Sequence, residues 1–161
     1  MSLVDDFKDA LSSWASGVSV VTTNQGGLLY GLTVSSFASL SLDPPLVLVC
    51  LNNGNRLPEM IEESGGFAVS ILDRGQEPAS NYFASRGREP TSEFTEVEGH
   101  WTDAGIPVVG GAMAWIVCTL HNSIEQGDHT IVIGEVVEAS SDPEGKPLLY
   151  FRRGYRGVEM S

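Results

Sequence analysis

GLTVSSFASLSLDPPLVLVCL, residues 31–51, is the stretch of sequence that decides the fold. Up to Leu42, apolar residues and hydroxyl residues alternate with a period of two, which is typical of a strand that packs one face on a core. The apolar positions are Leu32, Val34, Ala38, Leu40 and Leu42; the polar ones are Thr33, Ser35, Ser39, Ser41 and Asp43; Ser36 and Phe37 are out of step. The pattern predicts one half-buried strand with a row of hydroxyl groups on its second face.

The second half of the stretch begins at Asp43-Pro44-Pro45. Each proline fixes φ and removes an N–H donor, so the first strand is expected to stop there. The run that follows, LVLVCL from residue 46 to residue 51, is apolar without a break, which predicts a strand that is covered on both faces. We therefore expect a hydroxyl-lined strand beside a buried one.

Four further motifs follow in order along the chain: SGVSVVTT near the start, Gly127-Asp128-His129, then PLLY, and RRGYRGVE at the end. Together with TVSSFASLSLDPPLVLVCL they resemble the flavin reductase-like family, the FMN-binding split-barrel reductases that commonly serve two-component monooxygenases. The resemblance covers roughly residues 5 to 159. It implies a mainly β fold, namely an antiparallel, Greek-key-like split barrel with short flanking helices, and a homodimer that holds flavin near the subunit interface.

Composition limits the class of protein. A chain of 161 residues with 42% hydrophobic residues is long enough for a single core. The formal net charge of −12, with nine lysines and arginines, argues against nucleic acid, whose binding requires positive charge. No apolar run reaches the ~20 residues that span a bilayer, and MSLVDDFKDAL lacks the features of a signal peptide. We expect one cytoplasmic domain over residues 1–161, with no nucleic-acid or membrane partner.

The cysteines and histidines are not spaced like metal ligands. Cys50 and Cys118 both lie inside apolar, strand-like runs, which predicts buried free thiols. His100, His121 and His129 show no metal-type pairing with each other or with the cysteines. No metal site is predicted.

The rest of the chain alternates short helical and β-rich segments. Helices are expected at residues 3–15, where Ser2 and Asp5 resemble a capping box, at 56–64, ended by Gly65-Gly66, and at 76–84. Strands are expected at 18–23, 67–72, 112–120 and 130–139, a hairpin loop at 24–27 and an acidic, solvated loop at 85–99. There is no G-x-G-x-x-G after a strand and no Walker lysine, so a Rossmann or P-loop nucleotide site is not expected.

The family resemblance implies a flavin site on the hydroxyl face. The matching positions are Thr33, Val34, Ser35, Ser36, Ser39 and Ser41. Short hydroxyl side chains and strand-end N–H groups suit a flavin, which presents a phosphate, a ribityl chain and a ring edge of donors and acceptors. The alternative for these serines is simple solvation on a strand.

The loop after the buried strand and a later basic loop match the family's contacts to the phosphate end of the flavin. The positions are Leu51, Asn52, Asn55, Arg56, Phe83, Ala84 and Arg88. Arginine suits phosphate because its planar fork donates in pairs; the alternative for Arg86 and Arg88 is surface solubility. Amides stand where small hydroxyl residues are common in the family, which leaves FMN and FAD both open.

His129 and Tyr155 match family positions beside the nicotinamide or the flavin ring, with His129 in the catalytic role. The alternatives are a structural histidine after a Gly-Asp turn and a tyrosine that only packs its ring. The resulting prediction is an NAD(P)H-dependent flavin reductase that supplies reduced FMN or FAD to a partner monooxygenase, with NADH and NADPH undecided. A non-catalytic flavin-binding protein and a related split-barrel flavoprotein oxidase are the alternatives.

Overall fold

Residues 1–160, which the computed structural model describes, contain twelve strands and three short helices. The helices are α1 (Leu3–Ser12), α2 (Leu57–Ser64) and α3 (Glu77–Ala84). The strands are β1 (Ser16–Gly17), β2 (Ser19–Gln25), β3 (Leu28–Val34), β4 (Ala38–Leu42), β5 (Pro45–Asn52), β6 (Gly66–Ile71), β7 (Gly99–Trp101), β8 (Pro107–Val109), β9 (Ala114–Gln126), β10 (His129–Ser141), β11 (Leu149–Phe151) and β12 (Gly154–Arg156).

Seven strands form one antiparallel sheet in the order β3-β2-β6-β9-β10-β5-β4, so that β3 and β4, consecutive in sequence, are its two edges. In a flat sheet these edges would lie about 29 Å apart, at ~4.8 Å per strand. The connection Ser35–Phe37 provides four Cα–Cα steps, which reach about 15 Å at most. The sheet is therefore curled until its edges approach each other, and the predicted split barrel is confirmed.

The prediction of one continuous strand over residues 31–42 is wrong. The structure contains two strands, separated at the residues that were out of step in the alternation. At the break, the Ser36 hydroxyl donates to the Cys50 carbonyl (2.8 Å) and accepts from the Cys50 N–H (3.1 Å). This side chain replaces a strand partner and turns the chain from one edge of the barrel to the other.

The expectation that LVLVCL is covered on both faces is also wrong. Val47, Val49 and Leu51 are buried, whereas the alternate residues Leu48 and Cys50 are only half-buried. The barrel interior covers one face of β5, and nothing in residues 1–160 fully covers the other. Leu42, which the alternation placed on the core face, is 92% exposed and lies opposite Pro45 at the end of β4.

The cores of the molecule lie on either side of the sheet. The barrel interior is filled by β-branched and aromatic side chains and is closed by α2 through Leu57 and Ile61. A second cluster lies under α3, where Phe83 packs against Val20 and Leu72. A Cβ on Gly31 would come within 3.2 Å of the Phe83 ring. Glycine at this position therefore lets α3 approach β3 closely.

The helix termini follow the sequence signals. The Asp5 N–H donates to the Ser2 hydroxyl and the Asp5 carboxylate accepts from the Ser2 N–H, both at 3.2 Å, which confirms the capping box. Hydrogen bonds from Ser2 lower the pKa of Asp5. Helix α1 ends at Ser12 rather than residue 15. Gly65, in the left-handed region at φ 80°, ends α2 as expected.

The two cysteines differ. Cys118 is fully buried, and burial raises the pKa of its thiol to about 12. Cys50 is only half-buried, contrary to the prediction of a buried thiol. No three His, Cys, Asp or Glu side chains in the described part of the chain are grouped as metal ligands. No helix within residues 1–160 is both long enough and apolar enough to cross a bilayer.

Candidate functional site

A cleft of about 220 Å³ opens where the end of β3, helix α3 and the hairpin of β11 and β12 meet. Its lining residues are Val18, Thr33, Val34, Ser35, Ser80, Ala84, Tyr150 and Tyr155. Five of these, namely Thr33, Val34, Ser35, Ala84 and Tyr155, belong to the residues predicted from the sequence. The fold therefore brings the first hydroxyl residues and the C-terminal tyrosine together, although about 120 positions separate them in the chain.

Thr33 and Tyr155 are joined through one buried residue of α3, Ser80. The Thr33 hydroxyl donates to the Ser80 carbonyl at 2.7 Å, so toward the cleft it can only accept a hydrogen bond. The Ser80 hydroxyl lies 2.7 Å from the Tyr155 hydroxyl, which in turn donates to Asn81 Oδ1 at 3.1 Å. Because the single hydrogen of the tyrosine is directed at Asn81, the serine supplies the hydrogen of their shared bond.

The four serines that follow Thr33 in the predicted flavin site lie in different environments. Ser35 is exposed at the cleft, and no hydrogen bond involves its hydroxyl within residues 1–160. Ser36 uses its only hydrogen and one acceptor lone pair on Cys50. On β4, Ser39 and Ser41 lie opposite Val47 and Leu46 of β5. Ser41 is thus about 13 Å along the strand direction from Ser36, at ~3.3 Å per residue, and lies outside the cleft.

The loop after β5 is held by its own amides. Asn52 Oδ1 accepts from the Gly54 N–H at 2.7 Å, and Asn55 Oδ1 accepts from the Leu57 N–H at 2.9 Å, where α2 begins. The side-chain NH₂ groups remain available to a ligand. Leu51 is 1% exposed, so only its backbone can contribute to a site.

The side chain of Arg88 makes structural hydrogen bonds within the chain. Its Nη2 donates to the Gly31 carbonyl (2.8 Å) and the Phe83 carbonyl (2.9 Å), and its Nε donates to the Ser85 carbonyl (3.2 Å). The guanidinium also lies 5.1 Å from the centre of the Tyr30 ring. Arg88 therefore fastens the loop after α3 to β3, a role that neither the phosphate prediction nor the surface alternative described. The Phe83 ring is 1% exposed and belongs to the core.

Arg56 is the more open of the two predicted arginines. It forms an ion pair with Glu89 at 2.9 Å, and 43% of its side chain is exposed. Its guanidinium lies 5.6 Å from the centre of the same Tyr30 ring that Arg88 contacts. The pair joins the loop after β5 to the acidic loop, which is therefore anchored rather than freely solvated.

His129 begins β10 directly opposite Asn52, outside the cleft of a single chain. Its Nδ1 lies 2.7 Å from Asp128 Oδ1, and 45% of the side chain is exposed. The hydrogen bond from His129 and its charge lower the pKa of Asp128. The contact with Asp128 occupies Nδ1, and the second ring nitrogen, Nε2, is left for another partner.

Sequence reasoning missed Val18, Ser80 and Tyr150 as cleft residues. Tyr150 ends the PLLY motif, which was recognised without assigning a role to the tyrosine. Ser80 carried a usable signal, since it stands beside Ala79 on the side of α3 that is buried. A hydroxyl on an apolar helix face requires a partner inside the protein.

Comparison with known proteins gives consistent results. The family model described as flavin reductase like domain matches residues 11–159. The reductase component of the 4-hydroxyphenylacetate 3-monooxygenase of Thermus thermophilus is 43% identical over 150 residues, 93% of this chain and 93% of that protein. An NADH-dependent flavin reductase of Rhodococcus sp is 36% identical over 156 residues, 95% of this chain and 85% of the relative.

Among solved structures, the NADH:FAD oxidoreductase SgcE6 of Streptomyces globisporus C-1027, in complex with NAD and FAD fragments, superimposes with a TM-score of 0.91. The two sequences are 32% identical, and the match covers 98% of this chain and 93% of the other. A second solved structure, of the flavin reductase PheA2 in its native state, gives a TM-score of 0.89 at 35% identity, with coverage of 99% and 100%.

Proposed function

Because the chain belongs to the flavin reductase-like family, we propose that it reduces FMN or FAD with NADH and supplies the reduced flavin to a separate monooxygenase. The observation that carries the proposal is the cleft at the end of β3, where Thr33, Ser35 and Tyr155 converge. NADH is preferred as the donor because a similar protein of Rhodococcus sp is named an NADH-dependent flavin reductase.

The residues of the cleft fit the ring system of a flavin. Thr33 offers a hydrogen-bond acceptor, Ser35 offers a hydroxyl that can both donate and accept, and Val34 adds backbone groups at the strand end. A flavin ring edge carries both donors and acceptors, and such a mixture of short polar groups satisfies it. The nicotinamide and the flavin supply the redox chemistry, and the protein's contribution is to hold the two rings in contact and exclude water.

For the phosphate end we propose Arg56 and the amides of Asn52 and Asn55. Arg56 is exposed beside the loop that carries both amides, and its partner Glu89 is itself 75% exposed. Exposed ion pairs contribute about 0–1 kcal/mol. An incoming phosphate can therefore replace that partner at low cost. Arg88 is assigned to holding the loop, since its Nη2 and Nε donate to three backbone carbonyls.

His129 is the residue proposed to orient the nicotinamide. Asp128 fixes its Nδ1, so Nε2 can accept a hydrogen bond from the carboxamide NH₂ of the donor. No protein acid is needed for hydride transfer itself, so the role of His129 is one of placement. His129→Ala should lower NADH turnover and leave flavin affinity within about threefold, whereas His121→Ala, at another exposed histidine, should change neither.

We further propose that two chains associate to complete the site. The outer face of β4, β5 and β10 carries paired apolar residues: Ala38, Leu48 and Ile133 lie opposite one another, as do Cys50 and Ile131. The cleft of one chain, about 220 Å³, is also smaller than the roughly 300–1,000 Å³ that ligand sites usually have. A second copy on the outer face would cover the apolar residues and add a wall to the site.

The test is the oxidation of NADH by the purified chain with FMN, FAD and riboflavin offered in turn. Turnover that depends on added flavin supports the reductase. Flavin binding without NADH oxidation would favour the non-catalytic flavin-binding protein, and absence of flavin binding would overturn the proposal. Replacing NADH by NADPH in the same assay decides between the two donors.

A further inference from the structure

We propose that Ser80 is a positioning residue that sets the orientation of Tyr155, and through it of Tyr150, at the cleft. The inference rests on the proposed reductase function for its catalytic consequence. Its structural basis is the hydrogen-bond chain from α3 to the C-terminal hairpin.

Ser80 is fully buried, and its hydroxyl donates to Tyr155, which lies 75 positions later in the sequence. Because the Ser80 side chain is buried, its hydroxyl depends on a protein partner for this bond. Asn81 accepts the tyrosine hydrogen from the neighbouring position of α3. The phenol oxygen is therefore fixed by one donor and one acceptor from a single rigid helix.

Other contacts hold the backbone of the hairpin. β11 and β12 belong to a small three-stranded sheet with β1, separate from the barrel sheet. At the hairpin turn, the Arg152 N–H donates to the Ser12 carbonyl at 2.8 Å, and Arg153 pairs with Asp9. These contacts hold the turn against α1, and Tyr150 is paired with Ser16 of β1. The hydroxyl of Tyr155 is held by Ser80 and Asn81 of α3.

The orientation of Tyr155 extends to its neighbour across the strand pair. The rings of Tyr150 and Tyr155 lie edge to face, with centroids 5.5 Å apart and an angle of 67°. Both rings line the cleft. A tilt of Tyr155 therefore changes two walls, and a displacement of about 1 Å between reacting groups can cost roughly a hundredfold in rate.

The test is a double-mutant cycle with Ser80→Ala and Tyr155→Phe. Ser80→Ala removes the hydroxyl and keeps the backbone carbonyl that accepts from Thr33. We expect kcat/KM for NADH to fall about fivefold in each single variant, as for one lost hydrogen bond, and no further fall in the double variant.

Ser70→Ala is the matched control. Ser70 is also fully buried, and its hydroxyl accepts from the Val109 N–H at 3.0 Å, with no bond to the tyrosines. It should lower the thermal midpoint as Ser80→Ala does and leave kcat/KM unchanged. An unchanged kcat/KM in Ser80→Ala, effects that multiply in the double variant, or an equal fall in Ser70→Ala would each overturn the inference.

The same cycle measured on flavin affinity and on thermal unfolding does not depend on NADH turnover. If the wild-type chain does not oxidise NADH, the proposed function fails. The coupling between Ser80 and Tyr155 is still decided by these two measurements: additive effects in both would overturn it.

Discussion

β3 and β4 are the two edges of one sheet, and the chain treats them differently. Leu29 and Tyr30 of β3 are buried, because α3, Arg88 and an isolated bridge to Thr91 cover that edge. On β4, Leu40 is 47% exposed and Leu42 is 92% exposed. An uncovered apolar edge invites another chain. The molecule thus covers the edge that carries the cleft with its own side chains and leaves the other edge open, where we propose that a second copy associates.

The largest expected effect comes from uncovering β3. Arg88→Ala removes the hydrogen bonds to the Gly31 and Phe83 carbonyls and the contact with Tyr30. Two buried acceptors lose a charged donor, so we expect the free energy of unfolding to fall by about 3 kcal/mol. Urea denaturation measures it. Arg86→Ala, at an exposed neighbour, should stay within about 0.5 kcal/mol; equal losses in the two variants would show that Arg88 does not hold the edge.

The next effect tests whether the β4 edge is an interface. Leu42→Lys should weaken dimer formation about thirtyfold and leave monomer stability unchanged, since a side chain that is 92% exposed makes few contacts within its own chain. Light scattering after size exclusion should give twice the 17.2 kDa chain mass for the wild type and a lower mass for the variant. Leu28→Lys, at a residue 44% exposed on the covered edge, is the control and should remain dimeric. A monomeric wild type would contradict the proposed assembly.

A smaller effect on flavin affinity should distinguish Ser35, which follows β3, from Ser39 on β4. Ser35→Ala should weaken flavin binding about fivefold, because it removes a free hydroxyl at the cleft. Ser39→Ala, on β4, should leave the flavin affinity unchanged. Flavin fluorescence titration of each variant, with the chains associated as in the wild type, measures both. Loss of affinity in Ser39→Ala would place the flavin along β4.

The smallest expected effect is on the pH dependence of stability. Hydrogen bonds from the Lys146 and Gly75 N–H groups lower the pKa of Asp73, which precedes α3. Because the folded pKa lies below the ordinary 3.8, the stabilisation is present above that value and is lost as the pH falls through the folded pKa. Thermal midpoints between about pH 5 and pH 3 should decline less steeply in Asp73→Asn than in the wild type. Parallel curves would show that Asp73 contributes nothing to this dependence.

Local sequence signals predicted the local structure well. The capping box at Ser2, the glycine that ends α2 and the proline stop before β5 all depend on residues within a few positions of one another. The strands predicted at 18–23 and 67–72 also lie where the structure has β2 and β6. The family motifs predicted five of the cleft residues from the sequence.

What the sequence could not reveal depends on contacts between distant residues. The alternation falters only at Ser36 and Phe37 between β3 and β4, and the residue that binds Ser36 at this break, Cys50, lies 14 positions away. Arg88 resembles a surface residue in the sequence, because the Gly31 carbonyl to which its Nη2 donates lies 57 positions earlier. Leu42 was expected in the core because periodicity indicates which face of a strand a residue occupies. Whether another part of the chain covers that face depends on residues distant in sequence.

The three-residue connection at Ser35–Phe37 also limits how the edges of the barrel can open. Its short span means that β3 and β4 cannot separate without straining the link, so the two edges should open in one cooperative event. In amide hydrogen exchange, the outermost strands of an open sheet would exchange independently, whereas here their protection should rise and fall together. A ligand that contacts Ser35 would then slow exchange on both edges at once, including β4 residues that it never touches.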